Sequence, residues 1–172
     1  MFNRKVLVVL VCLGALGAAT SASAGGSIFA GADFPTGGFG DGAKTGWTAG
    51  AYYTGNLLPI VELGGLVAYN DWTIDLGKAP ELGDLFGDSV NAWEVHALGQ
   101  LNFLMLKAFL GLGFANYNGI GDDLESKRET DFSWQLGMSF NFLMLQARLG
   151  YHQIPVKESS INWMKLTIGV TF

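Results

Sequence analysis

The stretch DFSWQLGMSFNF at 131–142 limits what this chain can fold into more than any other. Phe132, Trp134, Leu136, Met138, Phe140 and Phe142 share one parity, and Asp131, Ser133, Gln135, Gly137, Ser139 and Asn141 share the other. A period of two sustained over twelve residues puts every large apolar side chain on one face of an extended strand, whereas a helix would scatter them. The segment NAWEVHALGQLNF at 91–103 behaves in the same way. Trp93, Val95, Ala97, Leu101 and Phe103 lie on one face, and Glu94, His96, Gln100 and Asn102 on the other, with Leu98 among them.

The same reading predicts eight strands, near 27–34, 46–55, 60–70, 90–101, 105–117, 130–140, 144–152 and 161–172. Their connections alternate in length. Short ones fall around 56–59, 102–104 and 141–143, and long polar ones around 35–45, 71–89, 118–129 and 153–160. The pentapeptide NFLML occurs at 102–106 and again at 141–145, each time across a short turn, with a looser copy in NLLPIVELGG at 56–65. The repeated unit is therefore a hairpin pair; a solenoid would repeat along its whole length at constant spacing. Short turns at one end and long loops at the other are the signature of an up-and-down barrel.

Charge placement decides which side of that barrel faces water. The predicted strands contain Asp33, Glu62, Glu94, Lys107, Asp131, Arg148 and Lys165, each on the less apolar parity of its strand. The opposite face is apolar from strand to strand and too large for a soluble surface. Arg or Lys facing lipid costs about 2–4 kcal/mol at the bilayer midplane. The charges must point inward and the apolar face must meet lipid. The fold class expected is all-β, an eight-stranded antiparallel up-and-down transmembrane barrel. A soluble ligand-binding barrel would have the reverse polarity.

The tryptophans give that barrel a direction. Trp47, Trp72, Trp93, Trp134 and Trp163 all fall at strand ends beside the long loops. By parity Trp47, Trp93 and Trp134 face lipid as interface aromatics, while Trp72 and Trp163 have the other parity. Phe103, Phe142 and Phe172 would mark the opposite interface.

Residues 1–24 stand apart. Arg4 and Lys5 precede an apolar run from Val6 to Ala19, and Ala22-Ser23-Ala24 is a small-residue cleavage site. The run is shorter than the roughly 20 residues of a spanning helix. We expect a secretory signal at 1–24, recognised by the Sec pathway, and one barrel domain at 25–172. Cys12 leaves with the signal, so the mature chain has no disulfide and no thiolate. Loss of Arg4 and Lys5 reduces the ten basic residues to eight against 15 acidic, a net charge of −7. That balance argues against nucleic acid as a partner.

At this point the chain resembles the small eight-stranded outer-membrane barrels of the OmpA and OmpX type. The C-terminal MKLTIGVTF carries the most specific likeness. Phe172 is the last residue, with Val170, Ile168, Leu166 and Met164 alternating behind it. It looks like the signal that the bacterial barrel-assembly machinery recognises. The opening GADFPTGGFGDGAKTGWTAGAYY is also similar to a first hairpin of this family. The resemblance implies the bacterial outer membrane as the location. It implies lipid and lipopolysaccharide as surroundings and a monomer as the state.

Eight strands enclose a lumen that side chains can fill. The inward set Glu62, Glu94, His96, Gln100, Lys107, Arg148 and Lys165, with Gln146, is expected to form an interior polar network of paired charges. Inward Gly50, Gly64, Gly111 and Gly150 would leave room for its long side chains. We expect a plugged barrel without catalytic activity, acting in envelope structure or surface interaction through the long loops. The alternatives are a lipid A-modifying enzyme and a narrow porin-like channel.

The family of lipid A deacylases has a His-x-Ser pair in the penultimate strand. Here YHQIP has His152, but Ile154 stands in the serine position, and Ser159 and Ser160 lie beyond it. Two histidines and no mature cysteine make neither a zinc site nor a cofactor site expected. The long loops are acidic, with Asp71, Asp75, Glu81, Asp84 and Asp88 in one and Asp122, Asp123, Glu125 and Glu129 in another. Their spacing is not that of an EF-hand. They form a solvated rim, or hold divalent cations that bridge to lipopolysaccharide phosphates.

Overall fold

The alternating segments form eight strands: β1 (Ala24–Thr36), β2 (Gly46–Leu58), β3 (Val61–Thr73), β4 (Ser89–Phe103), β5 (Leu106–Ile120), β6 (Ser126–Phe142), β7 (Leu145–Val156) and β8 (Ser159–Thr171). This computed structural model of the chain describes residues 24–78, 80, 87–120, 126–156 and 159–172. The expected signal segment, with Cys12, lies outside the described residues up to position 23. Each strand pairs antiparallel with the next, and β8 pairs back to β1, which closes the barrel. Closure leaves no open sheet edge, the condition that lets strands cross a bilayer.

The seam is fixed at the C-terminus. Gly26 N–H donates to the Phe172 carbonyl at 2.8 Å, and Phe172 N–H donates back to Gly26 at 2.9 Å. The Phe172 ring lies over Gly26, where an added Cβ would stand only 2.7 Å from it. Gly26 leaves that space to the ring, which an added Cβ would displace.

Two-residue turns join β2 to β3, β4 to β5 and β6 to β7, and the start of β1 and the end of β8 lie at the same end of the barrel. The two NFLML copies are the second and third of these turns. Leu104 and Leu143 occupy their first positions with φ of 58° and 55°.

The opposite end differs from expectation in two places. The connections expected at 118–129 and 153–160 are mostly strand. The ladder runs to Ile120↔Ser126 and to Val156↔Ser159. Beyond the apolar band the outward side chains become polar while the pairing continues, so the alternation stops before the strand does. Asn116 Nδ2 donates to Thr130 Oγ1 across this extension at 2.9 Å. The first long connection contains a short helix, α1 (Gly37–Gly42), whose Phe39 is buried in the barrel mouth.

Candidate functional site in the barrel lumen

The seven charges of the predicted strands sit on the inward parity, whereas Asp71 of β3 and Arg128 of β6, near the long-loop end, have the outward one. Asp33, Glu62, Glu94, Arg148 and Lys165 are buried, and Lys107 and Asp131 are partly so. His96, Gln100, Gln146 and His152 are buried with them. Outward positions such as Leu112, Leu136, Leu149 and Ile168 are about half exposed or more.

Inside, the side chains stack in layers. Nearest the short turns, Glu62 accepts from Lys107 Nζ at 2.8 and 3.0 Å, from Asn102 Nδ2 at 2.7 Å and from Thr54 Oγ1 at 2.9 Å. Gln146 Nε2 donates to Tyr52 Oη at 2.6 Å and to Asn141 Oδ1 at 2.7 Å. Gln100 Oε1 has no hydrogen-bond partner among the described residues.

The next layer is aromatic. The Arg148 guanidinium lies 4.1 Å from the Phe109 ring centroid, 4.6 Å from Tyr52 and 5.9 Å from Phe29. The glycines make room for these rings. A Cβ at Gly137 would come 2.6 Å from Phe109, and one at Gly50 would come 2.6 Å from Phe29. Arg148 was expected to pair with a carboxylate. It stacks on rings instead, because Lys107 and Lys165 already hold Glu62 and Glu94.

Above it lies the second polar layer, centred on Glu94. Lys165 Nζ donates to Glu94 Oε2 at 2.9 Å, and Asn70 Nδ2 donates to the same oxygen at 3.0 Å. His152 Nδ1 is 3.4 Å from Glu94 Oε1, and the His152 ring stacks on Trp163 at 5.1 Å. His152 thus faces the lumen and has no serine beside it.

A Ser–His pair does exist, at a place the sequence did not single out. His96 Nε2 is 2.6 Å from Ser133 Oγ, and Gln135 Nε2 is 2.6 Å from His96 Nδ1. The signal was available, since Ser133 and Gln135 share the inward parity of β6 and lie one strand from β4's neighbour β5. An amide donor at Nδ1 requires the ring proton on Nε2, so His96 donates to Ser133 and is not poised to take its proton. Both side chains are fully enclosed. This geometry suits an internal strut and not a nucleophile.

An apolar cap closes the long-loop end. Phe39 of α1 meets Trp72 edge-on at 5.6 Å, and Trp72 meets Trp163 at 5.0 Å. Val90, Ile154 and Ile161 pack against them. Ile154 therefore serves the cap from the position where the deacylase pattern has serine.

On the outside, Trp47 and Trp93 are about half exposed, and Trp134 is partly buried against Tyr151 at 5.6 Å. Tyr69 links Trp47 at 5.4 Å to Trp93 at 5.0 Å. The girdle thus includes two tyrosines beside the tryptophans. At the C-terminus Leu166, Ile168, Val170 and Phe172 point outward and exposed, and Met164 is partly covered. Among the described residues no group of three His, Cys, Asp or Glu is placed to hold a metal ion. Glu81, Asp84, Asp122, Asp123 and Glu125 lie outside the described residues.

No protein-family model and no curated protein sequence matches the chain. Solved structures do. The crystal structure of Ail, the attachment invasion locus protein of Yersinia pestis, aligns with a TM-score of 0.55 at 13% identity, over 88% of this chain and 100% of that one. Ail in a phospholipid bilayer nanodisc gives 0.58 at 15% identity, over 87% and 100%. The N-terminal β-barrel domain of Pseudomonas aeruginosa OprF gives 0.52 at 16% identity, over 86% and 97%. At such identities the likeness concerns the backbone: this chain has the fold of the small eight-stranded outer-membrane β-barrels.

Proposed function

We propose that the protein is an integral barrel of the bacterial outer membrane with a plugged lumen and no catalytic activity. Its role is envelope structure or surface interaction through the long-loop end. One observation carries this reading: the outward face is apolar through the middle of the barrel, where the strand charges point inward, and Asp71 and Arg128 face outward only near the long-loop end. Between Trp93 and Phe103 on β4 the strand rises roughly 25 Å, at about 3.3 Å per residue and a tilt of about 40°. That matches the height of a membrane barrel's apolar band.

The lumen supports the plugged form. The Phe39–Trp72–Trp163 cap and the Phe29–Phe109–Arg148 layer both cross it. A water column would have to displace both.

The surface reading draws on the likeness to Ail, named for attachment. Ail has also been crystallised with the heparin analogue sucrose octasulfate. A polysulfate does not suit the present rim, where Asp41, Asp71, Asp75 and Asp88 outnumber Lys44 and Lys78. A cationic partner, or a phosphate surface bridged by divalent cations, complements it better. Residues 1–24 would direct export through the Sec pathway and be removed in the course of it, and the C-terminal residues Met164 to Phe172 would engage the assembly machinery. A monomer set in lipid and lipopolysaccharide is the state proposed.

The test compares cells with and without the protein, and the purified barrel in planar bilayers. We expect unchanged lipid A mass spectra and no steady conductance of about a nanosiemens, the scale of a wide pore. An altered acyl pattern would establish the enzymatic alternative, and a steady open step the channel.

A further inference from the structure

Arg148 poses a problem that the barrel's own side chains leave open. It is buried, and neither terminal nitrogen of its guanidinium has a hydrogen-bond partner among the described residues. The rings of Phe109 and Tyr52 meet its faces, at 4.1 and 4.6 Å. Rings attract the charge but accept hydrogen bonds poorly, so the N–H groups of the two terminal nitrogens stay unmet.

Glu62 and Glu94 are not free to answer it, and Asp33, buried with neither oxygen hydrogen-bonded among the described residues, stands opposite Lys165 in the β1–β8 register and does not line the space beside Arg148. Glu62 is held by Lys107 at 2.8 Å and Glu94 by Lys165 at 2.9 Å. Lys107 and Lys165 thus each hold a carboxylate at hydrogen-bond distance, and Arg148 does not.

The space beside Arg148 is a small cavity, and its lining includes Lys165, Thr167 and Gln135. Arg148 stands opposite Thr167 in the β7–β8 register, and Gly150 stands opposite Lys165. The glycine contributes no side chain, which leaves the gap between the two cations open. His152 borders the cavity with Nδ1 turned to Glu94. No carboxylate lines it. A cavity bounded by two cations, a hydroxyl and an amide, and partly walled by phenyl rings, favours a compact negative charge. Water alone would supply acceptors but would leave the Arg148 guanidinium with no opposite charge in contact with it.

We propose that this cavity binds one small monovalent anion of halide size, chloride in the cell, held by the Arg148 guanidinium and flanked by Lys165 and Thr167. The anion supplies Arg148 with the opposite charge that no carboxylate of the lumen places beside it.

Bromide is the probe. The barrel is refolded from urea into detergent in sodium bromide, crystallised, and measured at the bromine absorption edge. We expect one anomalous peak within hydrogen-bond distance of the Arg148 terminal nitrogens. A lumen without a peak there overturns the proposal, and would mean that water fills the cavity. In solution, chloride-35 line broadening on the refolded wild type should saturate. The apparent affinity should fall about tenfold or more in Arg148→Met, as expected for loss of a charge-assisted contact, and less in Thr167→Val. Equal broadening in wild type and Arg148→Met would also overturn it. If Arg148→Met does not fold, the bromide peak and the Thr167→Val titration decide the matter.

Discussion

Lys165 on β8 and Glu94 on β4 are 71 residues apart in sequence and meet in the lumen at 2.9 Å, with almost no exposure of either side chain. Removing one member strands the other in a buried site. Lys165→Met should therefore destabilise the barrel by about 3–5 kcal/mol, the cost of an orphaned buried charge. The double variant Lys165→Met with Glu94→Gln should recover a large part of that loss, because neither partner is then charged. Urea unfolding in lipid vesicles, followed by tryptophan fluorescence, measures both. A double variant no more stable than the single one would contradict the pairing.

The Glu62–Lys107 pair offers a contrast within the same lumen. It is as short, at 2.8 Å, but its side chains keep 11% and 18% of their exposure, so water screens it. Lys107→Met should cost only about 1 kcal/mol. Added salt should reduce that cost, while the cost of Lys165→Met should change little. Equal salt sensitivity of the two variants would argue that water reaches both layers.

The contrast also shows what the sequence could and could not reveal. Strand number, polarity and the inward charges were legible because period-two alternation is local: Phe132 to Phe142 display it without reference to any other strand. Partners were not legible. Glu94 could have met Lys107, Arg148 or Lys165, and only closure of the barrel chooses Lys165. The cap was hidden for a different reason. Trp72 and Trp163 had the inward parity, but Phe39 lies in a glycine-rich loop whose pattern gives no hint that it folds back into the mouth. Strand ends were missed wherever the outward residues turn polar, as at Asn116 and Thr130.

That cap can be opened. Phe39 is almost wholly buried against Trp72, and no strand depends on it. Phe39→Ala should cost about 3 kcal/mol, at the low end for a buried Phe because α1 can settle into the space. Bilayer recordings of this variant should still show no steady conductance, since the Phe29–Phe109–Arg148 layer lies below. A stable open step in Phe39→Ala would make the cap the sole barrier.

Glycines under the aromatic layer are as constrained as the rings. A Cβ at Gly150 would lie 3.0 Å from Phe109 Cζ and 3.3 Å from His152 Nε2. Gly150→Leu must push Phe109 away from Arg148 and should cost about 1–3 kcal/mol or more through overpacking. Gly99 is the control, because a Cβ there meets only ordinary contacts at 3.7 and 3.9 Å. Gly99→Ala should leave the unfolding midpoint unchanged or slightly raised, as Ala loses less backbone entropy than Gly on folding.

The repeated NFLML turns bear the last prediction. Leu104 is fully exposed at φ 58° and Leu143 is largely exposed at φ 55°. Left-handed backbone costs a residue with a Cβ about 1–2 kcal/mol, and Asn pays less of this than Leu. Nothing in the protein contacts these two side chains enough to offset that strain, so strain relief should dominate. Leu104→Asn and Leu143→Asn should each raise stability by about 0.5–1 kcal/mol in unfolding from lipid vesicles. The opposing effect is loss of apolar contact with the membrane, which continues from the neighbouring outward residues Phe103, Leu106, Phe142 and Leu145. A loss of stability in vesicles, with a gain retained in detergent of short chain, would mean that lipid holds the leucines and that the turn end of the barrel sits within the bilayer interface.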